Sequence, residues 1–231
     1  MKMKLLLTAT TIAFGFATGG PAFANGNGQG IVGSPHDFNL ESWNTRQEIC
    51  RVCHVPHDHD RATQRYTNGL LWNHEVTQAS YTIYDNAWSS SIDGATRQPD
   101  GTAKLCLGCH DGTVAIDSFD SIPDGGGTIF IGDYNPGYQI PGAGVGNDLH
   151  GTHPLSITYD STADPGLNDE TTTPMGTSGM IADVLDAGKV QCSSCHDVHD
   201  QESEAGTHLL RVGQTAATGT ASGLCLTCHN K

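Results

Sequence analysis

Four times the chain repeats a cysteine, two intervening residues, a second cysteine and a histidine: Cys50–Cys53–His54, Cys106–Cys109–His110, Cys192–Cys195–His196 and Cys225–Cys228–His229. These four motifs consume all 8 cysteines. A C-x-x-C pair alone fits a disulfide, a thioredoxin-like redox couple or half of a zinc site. None of the three requires a histidine directly behind the second cysteine. Covalent haem does. The two thiols add to the two vinyl groups of the porphyrin, and the next residue then sits under the iron and offers it an imidazole nitrogen. The sequence therefore predicts four covalently bound haem c groups, with the eight cysteines as thioether donors and His54, His110, His196 and His229 as proximal ligands.

The N-terminus has Lys2 and Lys4, a short apolar run and Ala22-Phe23-Ala24, which together read as a secretory leader over residues 1–24 with a small-residue cleavage site. The run is too short and too rich in Thr and Gly to span a bilayer, and no other stretch of the sequence could cross one. Export suits the motifs, because c-type haem is attached after translocation. Removing Lys2 and Lys4 takes the formal charge from −14 to −16. That argues against nucleic acid or an anionic lipid surface as a partner.

Flanking residues sort the motifs into two kinds. "CRVCHVPHD" and "CSSCHDVHD" share C-x-x-C-H-x-x-H-D, whereas "LCLGCH" and "LCLTCH" form a second pair. The order A-B-A-B describes a duplicated two-haem module. The expected organisation is a first module over 25–122, a Gly/Pro-rich connection over 123–148 and a second module over 149–231. With 29 Gly, 10 Pro and only 36% apolar residues, a core made of side chains alone would be thin. The expected fold is mostly irregular coil with short α-helices and very little β, a multihaem cytochrome c whose core is dominated by haem. Helices are expected near 41–55, 104–110, 181–197 and 222–229, and a short strand over 128–131.

Each haem iron has a second axial position. Only Met175 and Met180 remain in the mature chain as thioether ligands, whereas eight histidines lie outside the motifs: His36, His57, His59, His74, His150, His153, His199 and His208. Bis-histidine ligation follows, and it lowers the reduction potential relative to Met/His ligation. The duplication repeats two non-motif histidines per module, His36 and His57 in the first and His153 and His199 in the second. These four are the expected distal ligands. His59, His74, His150 and His208 remain as alternates for any one of them, His74 and His208 foremost because both flank the Leu-Leu pairs. His57 lies three residues past His54, a reach of at most about 10 Å. It cannot pass around the porphyrin rim to the far face of the same haem, so it serves another haem or none. The same holds for His199 and His196.

The strings "GSPHDF", "CHDGTVA" and "VQCSSCHDVH" resemble the exported multihaem cytochromes of metal-reducing bacteria, in particular their filament-forming tetrahaem outer-surface members. The likeness in length, haem number and motif order spans essentially the whole mature chain. It implies a head-to-tail polymer with haems running along its axis, a secreted or cell-surface location with the periplasm as the alternative, and other redox proteins or extracellular acceptors as partners. It also implies that a histidine of one subunit completes a haem of the next, for which His57 is the candidate. The C-x-x-C-K signature of multihaem nitrite reductases is absent, and histidines exceed the number of open coordination positions. The expected function is thus electron conduction and not enzymatic turnover. A soluble periplasmic carrier, a small-molecule reductase and a purely structural filament are the alternatives.

Overall fold

A computed structural model of the protein describes residues 28–55, 71–90, 92–120, 127–140, 147–214 and 223–230. The leader, His57 and His59 lie outside the described residues. Four helices occur among them: α1 (Gly101–His110), α2 (Ile131–Tyr134), α3 (Cys192–Cys195) and α4 (Gly223–Cys228). Four two-residue strands make two small ribbons. β1 (Thr82–Ile83) pairs in parallel with β2 (Asp148–Leu149), and β3 (Ile157–Thr158) pairs antiparallel with β4 (Lys189–Val190). Three of the helices carry the C-x-x-C cysteines of the second, third and fourth motifs.

The longest element shows how such a chain builds a helix. α1 contains Ala103, Lys104, Leu105 and Leu107, all good helix formers. No residue of its own caps it. Instead the Thr102 N–H donates to Asp186 Oδ2 at 3.0 Å, which places a carboxylate at the positive end of the helix. The helix ends where Gly112 enters the left-handed region at φ 76°. Ala103 and Leu107 are fully buried, and Leu107 joins Tyr81 and Leu149 in a small apolar cluster. Much of the remaining interior is polar. Asp111 accepts from Thr77 Oγ1 at 3.0 Å, from the Thr113 N–H and hydroxyl at 2.7 Å each, and from the Tyr81 hydroxyl. A second network ties α1 to the ribbon of β3 and β4. Asp100 accepts from Lys189 Nζ at 2.5 Å and Gln191 Nε2 at 2.9 Å, and Gln191 accepts from Ser156 at 3.0 Å. Helix α1 also rests on α3, with Thr102 Oγ1 and Ser193 Oγ sharing a hydrogen bond of 2.7 Å. The two halves of the chain are therefore interlocked.

The A half of the duplication is visible in the backbone. In the first copy His54 N–H donates to Cys50 O, Val55 N–H to Leu71 O and Asn73 N–H to Cys53 O; His54 and Trp72 form a single antiparallel bridge. In the second, His196 N–H donates to Cys192 O, Asp197 N–H to Leu209 O and Arg211 N–H to Cys195 O, with His196 bridged to Leu210. Leu71 and Leu209 occupy equivalent places, and both have left-handed backbones, at φ 53° and 59°. A bulky residue avoids that region. Both copies retain it because it turns the leucine carbonyl back onto the C-x-x-C-H loop.

Three local expectations differ from the structure. Residues 41–55 form successive turns and no helix, because the Asn44 side chain donates to the Phe38 and Glu48 carbonyls, at 2.9 and 3.1 Å, and so competes with a helical backbone. The 181–197 stretch is broken into a 3₁₀ turn (Ile181–Val184), β4 and α3, since Ala187 and Gly188 both take positive φ. Residues 128–131 are no strand: the Thr128 and Ile129 N–H groups go to the Asp117 carboxylate at 2.9 and 3.0 Å, and α2 starts at Ile131. Expected helices near 104–110 and 222–229 coincide with α1 and α4.

Asp120 fastens the first motif to the segments behind it, accepting from Arg51 Nε at 2.7 Å and Asn73 Nδ2 at 3.0 Å. Burial by itself would raise its carboxyl pKa, but the Asn73 and Arg51 hydrogen bonds outweigh it and hold the group below the usual carboxylate range. A carboxyl depressed on folding adds stability above its unfolded pKa of about 3.9 and loses it as pH falls through the lower native value. Asp120→Asn should cost about 1–2 kcal/mol at pH 7. The gap from the unsubstituted protein should close on acidification below about pH 4, measured by urea unfolding across pH.

Candidate metal centres

All eight motif cysteines are described, and all are thiols. Their neighbours place the motifs in sequence order. Cys53 lies within electrostatic reach of Cys109 and Cys106, Cys192 within reach of Cys106, and Cys195 within reach of Cys225 and Cys228. Burial and neighbouring sulfur push Cys53 and Cys109 up to about 12 and Cys228 up to about 11. The neighbouring Cys192 instead holds the Cys106 thiol below its usual range.

The histidines pair across the chain. His54 faces His199 with ring centroids 6.2 Å apart and planes inclined by 22°. His36 faces His110 at 6.0 Å, and His153 faces His229 at 6.3 Å. Each pair joins one motif histidine to one non-motif histidine. An imidazole–metal bond of about 2.0–2.1 Å, plus roughly 1.1 Å from ring nitrogen to ring centre, sets two imidazoles on opposite sides of one metal about 6.3 Å apart centre to centre. All three pairs have that spacing. Ring pairs without a second histidine span the same range, such as His36–Phe38 at 6.2 Å and His54–Trp72 at 5.8 Å, so the spacing fits ring packing as well as a shared metal.

The surrounding donors and acceptors fit a ligand role. His110 Nδ1 lies 2.6 Å from Tyr138 O, His196 Nδ1 2.8 Å from His208 O, and His153 Nδ1 3.0 Å from Pro154 O. A carbonyl at Nδ1 holds the proton there and leaves Nε2 as the metal-binding nitrogen. His36 Nδ1 is shielded from solvent and has no hydrogen-bond partner. Burial, then His110, His196 and His199, push the His36 imidazole down to about 3, so it stays in the neutral form that binds metal. The Asp197 carboxylate accepts the backbone N–H of His199 at 3.1 Å and those of Gln201 and Glu202 at 2.7 Å. This turn swings His199 away from its own motif and toward His54.

Other histidines are committed elsewhere. His74 is buried, with Nδ1 3.1 Å from Glu75 O and Nε2 3.2 Å from Ile116 O. His150 lies 2.5 Å from Asp148 Oδ1 and stacks on Trp88 at 4.1 Å. His208 contributes its carbonyl to His196. Met175 is buried in the turn that it closes with Gly179. Of the expected distal set, His36, His153 and His199 face motif histidines, and His57 lies outside the described residues. No second imidazole faces His196 among the described residues. Sequence reasoning missed the carbonyls of Tyr138, Pro154 and His208, whose role depends only on where the backbone passes.

No protein-family model matches the chain, and no curated protein does. Among the described residues no helix is long and apolar enough to cross a membrane.

These pairings make a selective prediction. His199→Ala should remove one axial ligand and convert about one quarter of the iron from low to high spin, read by electron paramagnetic resonance. His74→Ala and His150→Ala should leave the spectrum as it is.

Proposed function

We propose that the chain is a tetrahaem c-type cytochrome that carries electrons through bis-histidine haems and polymerises head to tail into an extracellular conductive filament. The observation that carries this reading is the set of three imidazole pairs at 6.0–6.3 Å, each made from one C-x-x-C-H histidine and one non-motif histidine. A haem iron held this way moves one electron between its ferric and ferrous states and offers no open position to a small molecule. The protein's part is to hold the paired imidazoles, fix their tautomers and keep successive motifs adjacent. Cysteines of successive motifs lie within electrostatic reach of one another, Cys53 of Cys109, Cys192 of Cys106 and Cys195 of Cys225, in the order of the sequence.

The pairings also follow a rule. In each module the histidine upstream of the A motif serves the B motif, His36 for His110 and His153 for His229. The histidine three residues past the second A motif, His199, serves the A motif of the preceding module, at His54. The same rule assigns His57 to the A motif of a module preceding the first. A neighbouring subunit would present His196 in that place. That makes a heterologous contact, which propagates as an open polymer when its rotation does not close.

His196 also supports the second reading. It is exposed and faces no second imidazole among the described residues, so a subunit lacking its neighbour's ligand would have one open, reductase-like position. Carbon monoxide separates the two. Native reduced filaments should bind almost none, and four haems per chain should be counted as pyridine haemochrome. His57→Ala should remain haem-loaded, fail to polymerise and bind about one carbon monoxide per chain. Stoichiometric zinc without a Soret band would overturn the haem reading. Monomers with four low-spin haems would overturn the cross-subunit role of His57.

A further inference from the structure

Two of the three tryptophans bury an indole N–H with no acceptor. Trp72 Nε1 and Trp43 Nε1 are both shielded from solvent and unpartnered. Trp43 lies between Phe38 and Phe119, at 5.4 and 6.0 Å. Trp72 is held more tightly to a candidate centre. Its backbone bridges His54, and its ring stands edge-on to the His54 imidazole at 5.8 Å and 86°. A buried donor without a partner costs about 1–3 kcal/mol, and native interiors seldom leave one so. The acceptor therefore belongs to something that sits beside His54 and is not among the described residues.

The duplication sharpens the point. The residue equivalent to Trp72 in the second module is Leu210, which bridges His196 in the same way and is 6% exposed. Apolar packing at this place is satisfied by leucine, so the indole adds a donor that the fold itself does not require. Cations are scarce as well. Of 11 Lys and Arg, Lys2 and Lys4 belong to the leader, and Arg51, Lys189 and Arg211 are already paired with Asp120, Asp100 and Glu202. Four haems would bring eight propionate carboxylates, which accept hydrogen bonds and donate none when ionised. Neutral donors must serve some of them.

We propose that Trp72 donates its indole N–H to a propionate carboxylate of the haem held at His54, and so makes the two A-type haems electronically unequal. This rests on the tetrahaem reading above. A donor to the propionate offsets part of its negative charge and so raises the potential of the iron relative to a site that lacks it. The haem at His196, with Leu210 in the equivalent place, has no such aid from this position.

The test uses the full-length exported protein, with haem content fixed first by pyridine haemochrome. Trp72→Phe keeps the ring and removes the donor, Trp72→Leu installs the residue of the second module, and Trp88→Phe is the exposed control. Spectropotentiometric titration should show one of the four potentials shifted downward in both Trp72 variants and none shifted in the control. The haem propionate bending band in resonance Raman should move with it. Should the Trp72 variants fail to mature, the ultraviolet Raman band that reports indole hydrogen bonding decides on the Trp43→Phe protein, in which Trp72 is the one buried indole. A strongly hydrogen-bonded buried indole supports the proposal, and a free one overturns it. Four haems per chain with unchanged potentials and an unchanged propionate band overturn it while leaving the electron-transfer reading intact. A chain without haem removes both.

Discussion

Two imidazoles facing each other across about 6 Å tie together parts of the chain that have little else in common. His36 is tied to His110, His153 to His229, and His54 to His199. The apolar cluster around Tyr81, Leu107 and Leu149 is small, and the strands are two residues each. Neither could organise a chain with this much coil. The buried polar networks around Asp111, Asp100 and Gln191 hold the backbone between the facing rings.

The duplication gives the molecule a repeated frame with unlike fillings. Both A copies use the same three backbone hydrogen bonds and the same left-handed leucine. They differ at the side chains that frame leaves free: Trp72 against Leu210, Asn73 against Arg211, and Val55 against Asp197. In the second copy Asp197 builds the turn that directs His199.

The sequence singled out both members of each facing pair of histidines. The C-x-x-C-H spacing marks four centres because its chemistry is local: two thiols and an imidazole within five residues. The choice of His36, His153 and His199 came from repetition, and these are the histidines that face motif imidazoles. What the sequence could not give was which centre each one serves. That depends on where the chain doubles back, and His199 reaches into the first module, not its own. Secondary structure was least legible between 41 and 55 and between 181 and 197. There Asn44 and the Ala187–Gly188 turn override helical patterning with side-chain hydrogen bonds and left-handed backbone.

The crossing of His199 to His54 has a temporal side. A polypeptide threaded through a membrane from its N-terminus delivers the first C-x-x-C-H motif long before residue 199 emerges. Until then His54 stands without its facing imidazole, however complete the preceding chain. The first half thus matures last in its coordination and waits on the second for closure. A premature stop anywhere between the two would leave a fragment with Cys50, Cys53 and His54 in place and no ring opposite. Such a fragment would offer quality-control proteases an unfinished end product in place of a smaller working carrier.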